Sequence, residues 1–296
     1  MADQPITWER MRVSEFERLE RESCWRIGEH ARWVESVWTV EASAEVSYPD
    51  EARAALAEIE ARSFWFRHRN KVIQRLLDWH GRPAALWEIG SGNGFVAWSL
   101  QQQGLEVVAV EPGAEGARLA AKRGVKHSVA ALLEQLRLPV SSLPALGFFD
   151  VLEHLHETAP FLRECHRVLK PGGLVVVTVP AHPFLWSQAD LDAGHYRRYT
   201  RRTLDDVMRA AGFKPLRSAY MMMSLWVPLF LLRALPYRMG RRKPKEENLK
   251  AALMHLAPTQ GLATAFLSAV LAVEFFISRW LPLTWGTSVV AVYLKP

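Results

Sequence analysis

Cysteine is scarce in this sequence of 296 residues. Cys24 and Cys165 are the only two, they lie far apart, and neither belongs to a CxxC motif or a Cys/His ligand cluster. A disulfide-stabilised scaffold and a structural zinc site are therefore both disfavoured. The first residues also lack the apolar stretch of a secretory signal, because they soon become rich in Glu and Arg. We expect a location in the reducing cytoplasm.

Long apolar runs are missing as well. Residues 218–232 carry no charge, but this segment contains Pro228 and is about 15 residues long, whereas a helix that spans a bilayer needs roughly 20 residues. A second apolar stretch, residues 261–273, is interrupted by Glu274, and the intervening residues 238–250 are basic. This arrangement is typical of a segment at an anionic membrane surface, here the inner face of the membrane. It is equally typical of an internal helical hairpin with solvated charges.

Positive charge prevails over the whole chain, which has 37 Lys and Arg, 31 Asp and Glu and a formal net charge of +6. An excess of this sign predicts an anionic partner, such as a lipid headgroup, a phosphorylated substrate or a nucleic acid. Nucleic acid is the least favoured of these partners, because the basic residues are not interleaved with aromatic residues along a long face.

Strand and helix patterns alternate from residue 84 onward. Strands are predicted at residues 84–89, 105–110, 125–129, 145–149, 174–179, 214–222 and 287–294, of which 84–89 and 105–110 are apolar runs and 125–129 is a weaker signal. Helices are predicted at residues 64–80, 96–103, 114–122, 130–136, 159–169 and 203–211. This alternation predicts an α/β fold with a doubly wound, mostly parallel sheet covered by helices on both faces. Upstream, residues 7–38 are rich in Glu and Arg and predict one or two surface helices.

A glycine-rich turn lies directly after the first predicted strand of this region and before a helix. Residues 88–94 read Glu-Ile-Gly-Ser-Gly-Asn-Gly. Glycine lets the backbone turn tightly and come close to a ligand, and the following helix N-terminus presents free N–H groups. This environment suits the carboxylate of a methionine moiety as well as a phosphate. Glu88 could pair with an ammonium group. Glu111, at the end of the next strand, could accept hydrogen bonds from both hydroxyls of a ribose.

The glycine spacing bears on the choice of cofactor. Glycines at positions 90, 92 and 94 form GxGxG, and position 95 is Phe. The dinucleotide fingerprint is GxGxxG, so the glycine that permits close helix–strand packing there is missing. An NAD-dependent oxidoreductase therefore remains only an alternative. A further alternative is a catalytically silent, membrane-peripheral module that retains the fold.

These motifs resemble those of class I S-adenosylmethionine (SAM)-dependent methyltransferases. Residues 150–155, Asp-Val-Leu-Glu-His-Leu, resemble the segment after the fourth strand of that superfamily, and residues 169–173, Leu-Lys-Pro-Gly-Gly, resemble its turn before the fifth strand. Residues 64–67 and 194–200 resemble a narrower subgroup, similar to ubiquinone-pathway O-methyltransferases and associated with lipid-linked or surface glycans. The resemblance covers residues 58–222 and the closing strand.

The resemblance implies a Rossmann-like sheet of seven strands, with only the last strand antiparallel. It divides the chain into an N-terminal helical extension (1–57), a SAM-binding core (58–222), an apolar and basic helical insertion (223–284) and the closing strand (285–296). The residues that it implies for SAM binding are Glu88, Gly90, Ser91, Gly92, Asn93, Gly94, Glu111, Pro112 and Asp150. One departure concerns the adenine, because residues 125–130 lack the acidic residue that the family usually has there.

Methyl transfer from a sulfonium is an in-line displacement from an activated donor, so the protein mainly positions the acceptor and removes its proton. The resemblance places Asp150, Glu153 and His154 beside the methyl group. His154 is the first candidate for the general base, because an imidazole ordinarily has a pKa of about 6.5. His195 is the second candidate, and Glu153 could orient His154. For both histidines, a packing role is equally consistent with the sequence.

The acceptor is expected to be a lipid-linked, glycan or small molecule that is methylated on oxygen. Its predicted contacts are Phe66, Arg67, Tyr196, Arg197 and Arg198, since arginines beside tyrosines can hold a phosphate or carboxylate. No metal is predicted. An oxygen and nitrogen ligand set could nevertheless form from Asp150, Glu153 and His154 together with His195 or His182.

Overall fold

The computed structural model describes residues 31–34, 36–40, 57, 59–242, 244 and 262–296. The helix predicted before residue 31 and most of the basic stretch that ends at residue 250 lie outside the described residues.

The described residues form one sheet of nine strands. They are β1 (Ala31–Val34), β2 (Val37–Val40), β3 (Ala85–Ile89), β4 (Glu106–Glu111), β5 (His127–Ala130), β6 (Leu143–Phe149), β7 (Leu169–Pro180), β8 (Lys214–Met221) and β9 (Ser288–Leu294). The strand order is β1-β2-β5-β4-β3-β6-β7-β9-β8. Strands β3 to β9 are the seven predicted strands, and of these only β9 runs antiparallel, between β7 and β8. The predicted doubly wound fold is confirmed.

Helices cover both faces of this sheet. They are α1 (Phe64–Trp79), α2 (Phe95–Gln102), α3 (Ala114–Arg123), α4 (Thr158–Val168), α5 (Gln188–Asp192), α6 (Arg201–Ala210), α7 (Trp226–Leu229), α8 (Leu235–Arg238) and α9 (Leu262–Ile277). A π-helical turn, Phe230–Ala234, joins α7 to α8. The helix predicted at residues 130–136 is instead a short 3₁₀ turn, Leu133–Leu136.

The central strand β3 is apolar on both sides because both faces of the sheet are covered. Leu86 packs with α1 and α2 in one apolar cluster, which includes Val72 and Leu100. Its neighbour Trp87 points to the opposite face and packs with α4 and α6 in a second cluster, which includes Leu162. Since successive strand residues alternate between faces, two covered faces require a continuous apolar run.

The two strands before the core correct the sequence analysis. Residues 31–38 were expected to belong to a surface helix, but residues 31–40 form a hairpin, β1 and β2, that turns at Ser36 with a φ of 67°. Strand β2 pairs in parallel with β5, Trp38 opposite Val129. The β-branched and aromatic residues of β2 suit a strand, and β2 pairs with the edge of β5 that would otherwise lack a neighbouring strand. Pattern analysis missed this because the partner lies about ninety residues away along the chain.

The insertion before β9 is helical where the structure describes it. Helix α9 packs on α1, where Arg75 donates one hydrogen bond to the Phe275 carbonyl (2.5 Å) and one to the Ser278 hydroxyl (2.7 Å). In the described part of the chain, every helix is too short or too polar to cross a bilayer.

Two valines of the hairpin test whether it is docked on the core. Val37 is buried against Ala117 and Ala130, whereas its cross-strand partner Val34 is exposed. We expect Val37→Ala to lower the free energy of unfolding by about 1–2 kcal/mol because it leaves a cavity. Val34→Ala should change it by less than about 0.5 kcal/mol. Urea denaturation of both variants measures the difference, and equal effects would contradict the docking of β2.

Candidate functional site

The glycine turn after β3 is shaped by left-handed backbone conformations. Gly90, Gly92 and Gly94 have φ values of 73°, 55° and 69°. A side chain on Gly90 would come within 2.7 Å of Val151, and one on Gly94 within 2.5 Å of Ala120, whereas one on Gly92 would meet nothing within 4 Å. Packing therefore requires glycine at positions 90 and 94. Position 92 borders open space, where a ligand could approach the backbone.

Glu111 holds this turn from the neighbouring strand. Its carboxylate is buried and accepts hydrogen bonds from the backbone N–H groups of Gly92 (2.8 Å) and Gly113 (3.2 Å). The N–H groups of Gly90 and Ser91 donate to the Val110 carbonyl at the end of the same strand. The predicted carboxylate therefore lies directly beside the turn, at the carboxyl edge of the sheet.

The other residues predicted at the cofactor site surround the same turn. Ser91 and Asn93 are buried, and the Asn93 carbonyl accepts a hydrogen bond from Arg123 (2.9 Å). Pro112 follows Glu111 and is half-buried. The structure thus brings these residues together, and their role in binding remains a prediction.

Glu88 is a buried carboxyl with an unsatisfied oxygen. It is 2% exposed, and its Oε2 has no hydrogen-bond partner among the described residues. Burial raises its pKa to about 8, although the nearby Arg69 guanidinium lowers it. A buried group of this kind is costly unless a ligand pairs with it, and an ammonium group would do so.

Arg69 is a site residue that the sequence analysis missed. From α1 it forms an ion pair with Asp150 (2.5 Å), which also accepts a hydrogen bond from Thr178 (3.2 Å). The guanidinium lies over the rings of Trp65 and Phe66, at 5.2 and 5.1 Å from their centroids. Asp150 therefore stands in a fixed position at the end of β6. Its partner lies 81 residues away along the chain, so spacing could not reveal the pair.

Two predicted acceptor contacts on α1 lie in different surroundings. Phe66 is buried and packs edge-on against Trp65 and Phe95, so it supports Arg69. Arg67, the next residue, is exposed. Contact with an acceptor stays a prediction for both.

The three predicted catalytic residues meet after β6. One side-chain ligand atom from each of Glu153, His154 and His195 lies within 4.8 Å of the others. The two imidazole rings are perpendicular, with centroids 4.7 Å apart. Glu153 is fully buried, neither carboxylate oxygen has a hydrogen-bond partner among the described residues, and its burial, together with the nearby Asp150 carboxylate, raises its pKa well above the usual range.

Asp190 is the second residue that the sequence analysis missed. This buried carboxylate on α5 lies 3.0 Å from Nδ1 of His195, accepts two hydrogen bonds from Arg198 (2.7 and 3.1 Å) and is also bound by Ser187. Burial alone would raise its pKa, but the hydrogen bonds from His195 and Arg198 hold the pKa of Asp190 down at about 2. The carboxylate is therefore ionised, and Nδ1 of His195 is the donor.

The arginines predicted to hold the acceptor are engaged by the protein itself. Arg198 binds Asp190 and the Ala181 carbonyl, and Arg197 donates to the carbonyls of Leu155 and His156. These contacts position the loop that carries His195. Of the predicted acceptor residues on this loop, Tyr196 is the exposed one, and its backbone N–H donates to the Glu153 carbonyl (2.7 Å).

His182 lies apart from the three catalytic candidates. Its φ is 56°, and its ring stacks between Tyr220 and Trp285, with centroids 4.6 and 4.5 Å away. Burial, with the Arg198 guanidinium nearby, lowers the pKa of His182 and favours the neutral imidazole. It does not join Glu153, His154 and His195 as a potential ligand.

The core of the chain is similar to known methyltransferases. Residues 61–218 match a family model described as a methyltransferase domain. A probable S-adenosylmethionine-dependent methyltransferase of Mycolicibacterium smegmatis is 30% identical over 158 residues, which cover 51% of this chain and 60% of that protein. The ubiquinone biosynthesis O-methyltransferase of Sodalis glossinidius is 28% identical over 129 residues, covering 41% and 52%. The chain thus spans little more than half the length of these relatives.

A solved structure shows the same fold. A chain from the complex between the Haloferax volcanii Trm112 methyltransferase activator and the putative methyltransferase superposes with a TM-score of 0.52. It is 14% identical, and the match covers 83% of this chain and 94% of that one.

The two glycines of the turn give a matched pair of substitutions. We expect Gly94→Ala to lower the free energy of unfolding by about 2–4 kcal/mol, from left-handed strain together with the clash against Ala120. Gly92→Ala suffers only the backbone strain, so about 1–2 kcal/mol is expected. Urea denaturation compares the two, and equal losses would show that Gly94 is not needed for packing.

Glu88 should make stability depend on pH. Its pKa is about 8 in the folded protein and ordinarily 4.5. Between these values the unfolded chain ionises Glu88 and the folded protein does not, so the carboxyl increasingly destabilises the fold as pH rises. Relative to wild type, Glu88→Gln should gain roughly 1–4 kcal/mol of unfolding free energy between pH 4.5 and pH 8. Urea midpoints at both pH values measure this gain.

Glu134→Gln, which changes an exposed carboxyl, is the control. It should show no such gain between the two pH values. If the Glu88→Gln difference from wild type were the same at both pH values, the burial-raised pKa of Glu88 would be refuted.

Proposed function

Since the chain belongs to the methyltransferase domain family, we propose that it transfers the methyl group of SAM to an oxygen atom of its acceptor. The acceptor is a hydroxyl-bearing molecule with an apolar, lipid-linked, glycan or small-molecule scaffold. The observation that carries the proposal is the Asp190–His195 pair, which lies beside Glu153 and His154 at the carboxyl edge of the sheet.

The residues around the glycine turn fit SAM. The buried Glu88 carboxyl lacks a partner for Oε2, and an amino-acid ammonium would supply one. Open space at Gly92 lets the backbone face a ligand, and Glu111 is held where it could accept hydrogen bonds from a ribose. When bound, SAM supplies a methyl group that is already activated on a sulfonium.

The proton of the acceptor hydroxyl must be removed, and His195 is suited to this. Its Nδ1–H donates to the ionised Asp190, so in the neutral form of the ring the lone pair is on Nε2. The aspartate fixes both the tautomer and the orientation of the ring. We therefore place His195 before His154 as general base, whereas the sequence favoured the reverse. An amine acceptor would have less need of such a pair, since its nitrogen can carry its own lone pair.

His154 and Glu153 would then act as positioning residues. The His154 ring packs edge-on against His195 and limits its rotation. Glu153 holds the loop through its backbone carbonyl, which accepts the Tyr196 N–H. A neutral Glu153, favoured by its raised pKa, places no second negative charge beside Asp150.

The alternative of an NAD-dependent oxidoreductase receives no support from the relatives. Close packing at the turn does not need the third glycine of GxGxxG. Gly94, which ends GxGxG, itself permits the close contact with Ala120 on α3. The silent-module alternative predicts SAM binding without turnover, which the following experiment distinguishes.

Transfer of label from [methyl-³H]SAM to separate lipid, glycan and RNA fractions tests the function. In the lipid or glycan fraction, His195→Ala should lower turnover by about 10²–10⁴-fold, while the calorimetric affinity for SAM stays within about twofold. His80→Ala, at the far end of α1, should leave both unchanged. If His195→Ala kept full activity and His154→Ala lost it, His154 would be the general base instead of His195. No SAM binding by the folded wild type would refute the proposed function.

A further inference from the structure

Helix α9 buries its charged residue and exposes apolar residues, the reverse of an ordinary surface helix. Its single charged residue, Glu274, is buried and accepts hydrogen bonds from the backbone N–H and the hydroxyl of Ser224, both at 3.1 Å. Leu271 is buried on the same side, and Phe275 packs against His68. The polar anchor of the helix therefore points into the protein.

The opposite side of α9 and of the turn after it is exposed and apolar. Its members are Phe266, Val273, Phe276, Ile277, Trp280 and Leu281, and the exposed fractions of Phe266 and Trp280 are 68% and 71%. Within α9, Phe266, Val273, Phe276 and Ile277 lie at spacings of three, four and seven residues, so these four share one helical face. Trp280 and Leu281 follow in the exposed turn after the helix. A surface helix normally presents charged residues on that face. We call this set of six residues the apolar face.

Charge around the apolar face selects the kind of partner. Arg279 is exposed between Ile277 and Trp280, and its guanidinium lies 5.5 Å from the Trp280 ring centroid. The described residues within 223–284 include five arginines and one acidic residue, the buried Glu274. Two copies of this face would bring like charges together. An anionic surface would instead be attracted.

We propose that the apolar face of α9 binds the interface of an anionic lipid bilayer. The helix lies in the plane of the membrane, with the apolar face at the boundary between headgroups and acyl chains and Arg279 at the lipid phosphates. Trp280 takes the position that tryptophan favours at membrane–water interfaces.

Aromatic side chains link the proposed membrane-binding surface to the edge of the sheet that carries the catalytic residues. Trp285, four residues after Leu281, stacks on His182 just beyond β7, and its ring lies 5.9 Å from Trp226 of α7. An aromatic wall thus runs from the insertion to the carboxyl edge of the sheet. If the proposed function is right, a lipid-linked acceptor could reach His195 without leaving the bilayer. Binding to the bilayer itself does not depend on that function.

Cosedimentation with large unilamellar vesicles, without SAM or acceptor, tests the proposal. Wild type should bind vesicles of phosphatidylcholine and phosphatidylglycerol (7:3) at least tenfold more tightly than pure phosphatidylcholine, and added salt should weaken the binding. Phe276→Ser/Trp280→Ser should reduce partitioning into the anionic vesicles at least tenfold. Arg279→Glu should reduce it only on the anionic vesicles.

Val140→Ser removes an equally exposed apolar side chain far along the chain from the insertion and should bind like wild type. Because every substituted side chain is exposed, the variants should have the same urea midpoint as wild type, which shows that they are folded. The proposal is overturned if wild type does not bind the anionic vesicles or if the double variant binds as well as wild type. It is also overturned if light scattering shows a wild-type dimer that the double variant loses, because the face would then join two copies.

Discussion

The close approach of the glycine turn to its neighbours is the constraint on which the rest of the site depends. Gly90 leaves room for Val151 after β6, and Gly94 leaves room for Ala120 on α3. Glu111 then reaches the turn from β4 and fixes its backbone with a hydrogen bond. Because these contacts join the ends of three adjacent parallel strands, they gather the cofactor residues and the catalytic residues at one edge of the sheet.

The four buried or half-buried carboxyl groups at this edge fall into two kinds, which differ in whether other groups pair with them. Asp150 and Asp190 are saturated by arginines and hydrogen bonds, so they serve as fixed anchors. Glu88 and Glu153 are buried with unsatisfied oxygens, and burial favours their neutral forms. A protein tolerates such groups at a cost in stability, and they commonly mark places where a ligand completes the hydrogen bonding.

Pattern reasoning succeeded where the signal was local. Strands β4, β6 and β9 were visible as largely apolar runs, because a strand covered on both faces is apolar along most of its length. It failed for the hairpin before the core, since β1 and β2 are stabilised by the distant edge of β5. It also missed Arg69 and Asp190, since nothing near either residue in the chain identifies its partner. His195 gained priority over His154 only when Asp190 was found beside it.

The sequence alone determined how the seven core strands follow one another along the chain, the glycine turn and the carboxylate at the end of the next strand, since each depends on the pattern or conformational freedom of adjacent residues. The tertiary structure decided which buried charges neutralise each other and that α9 turns Glu274 inward and its apolar side outward. The physical reason is that the energy of a charge depends on its distance to other charges and on its access to water. Both quantities exist only once distant segments have packed together.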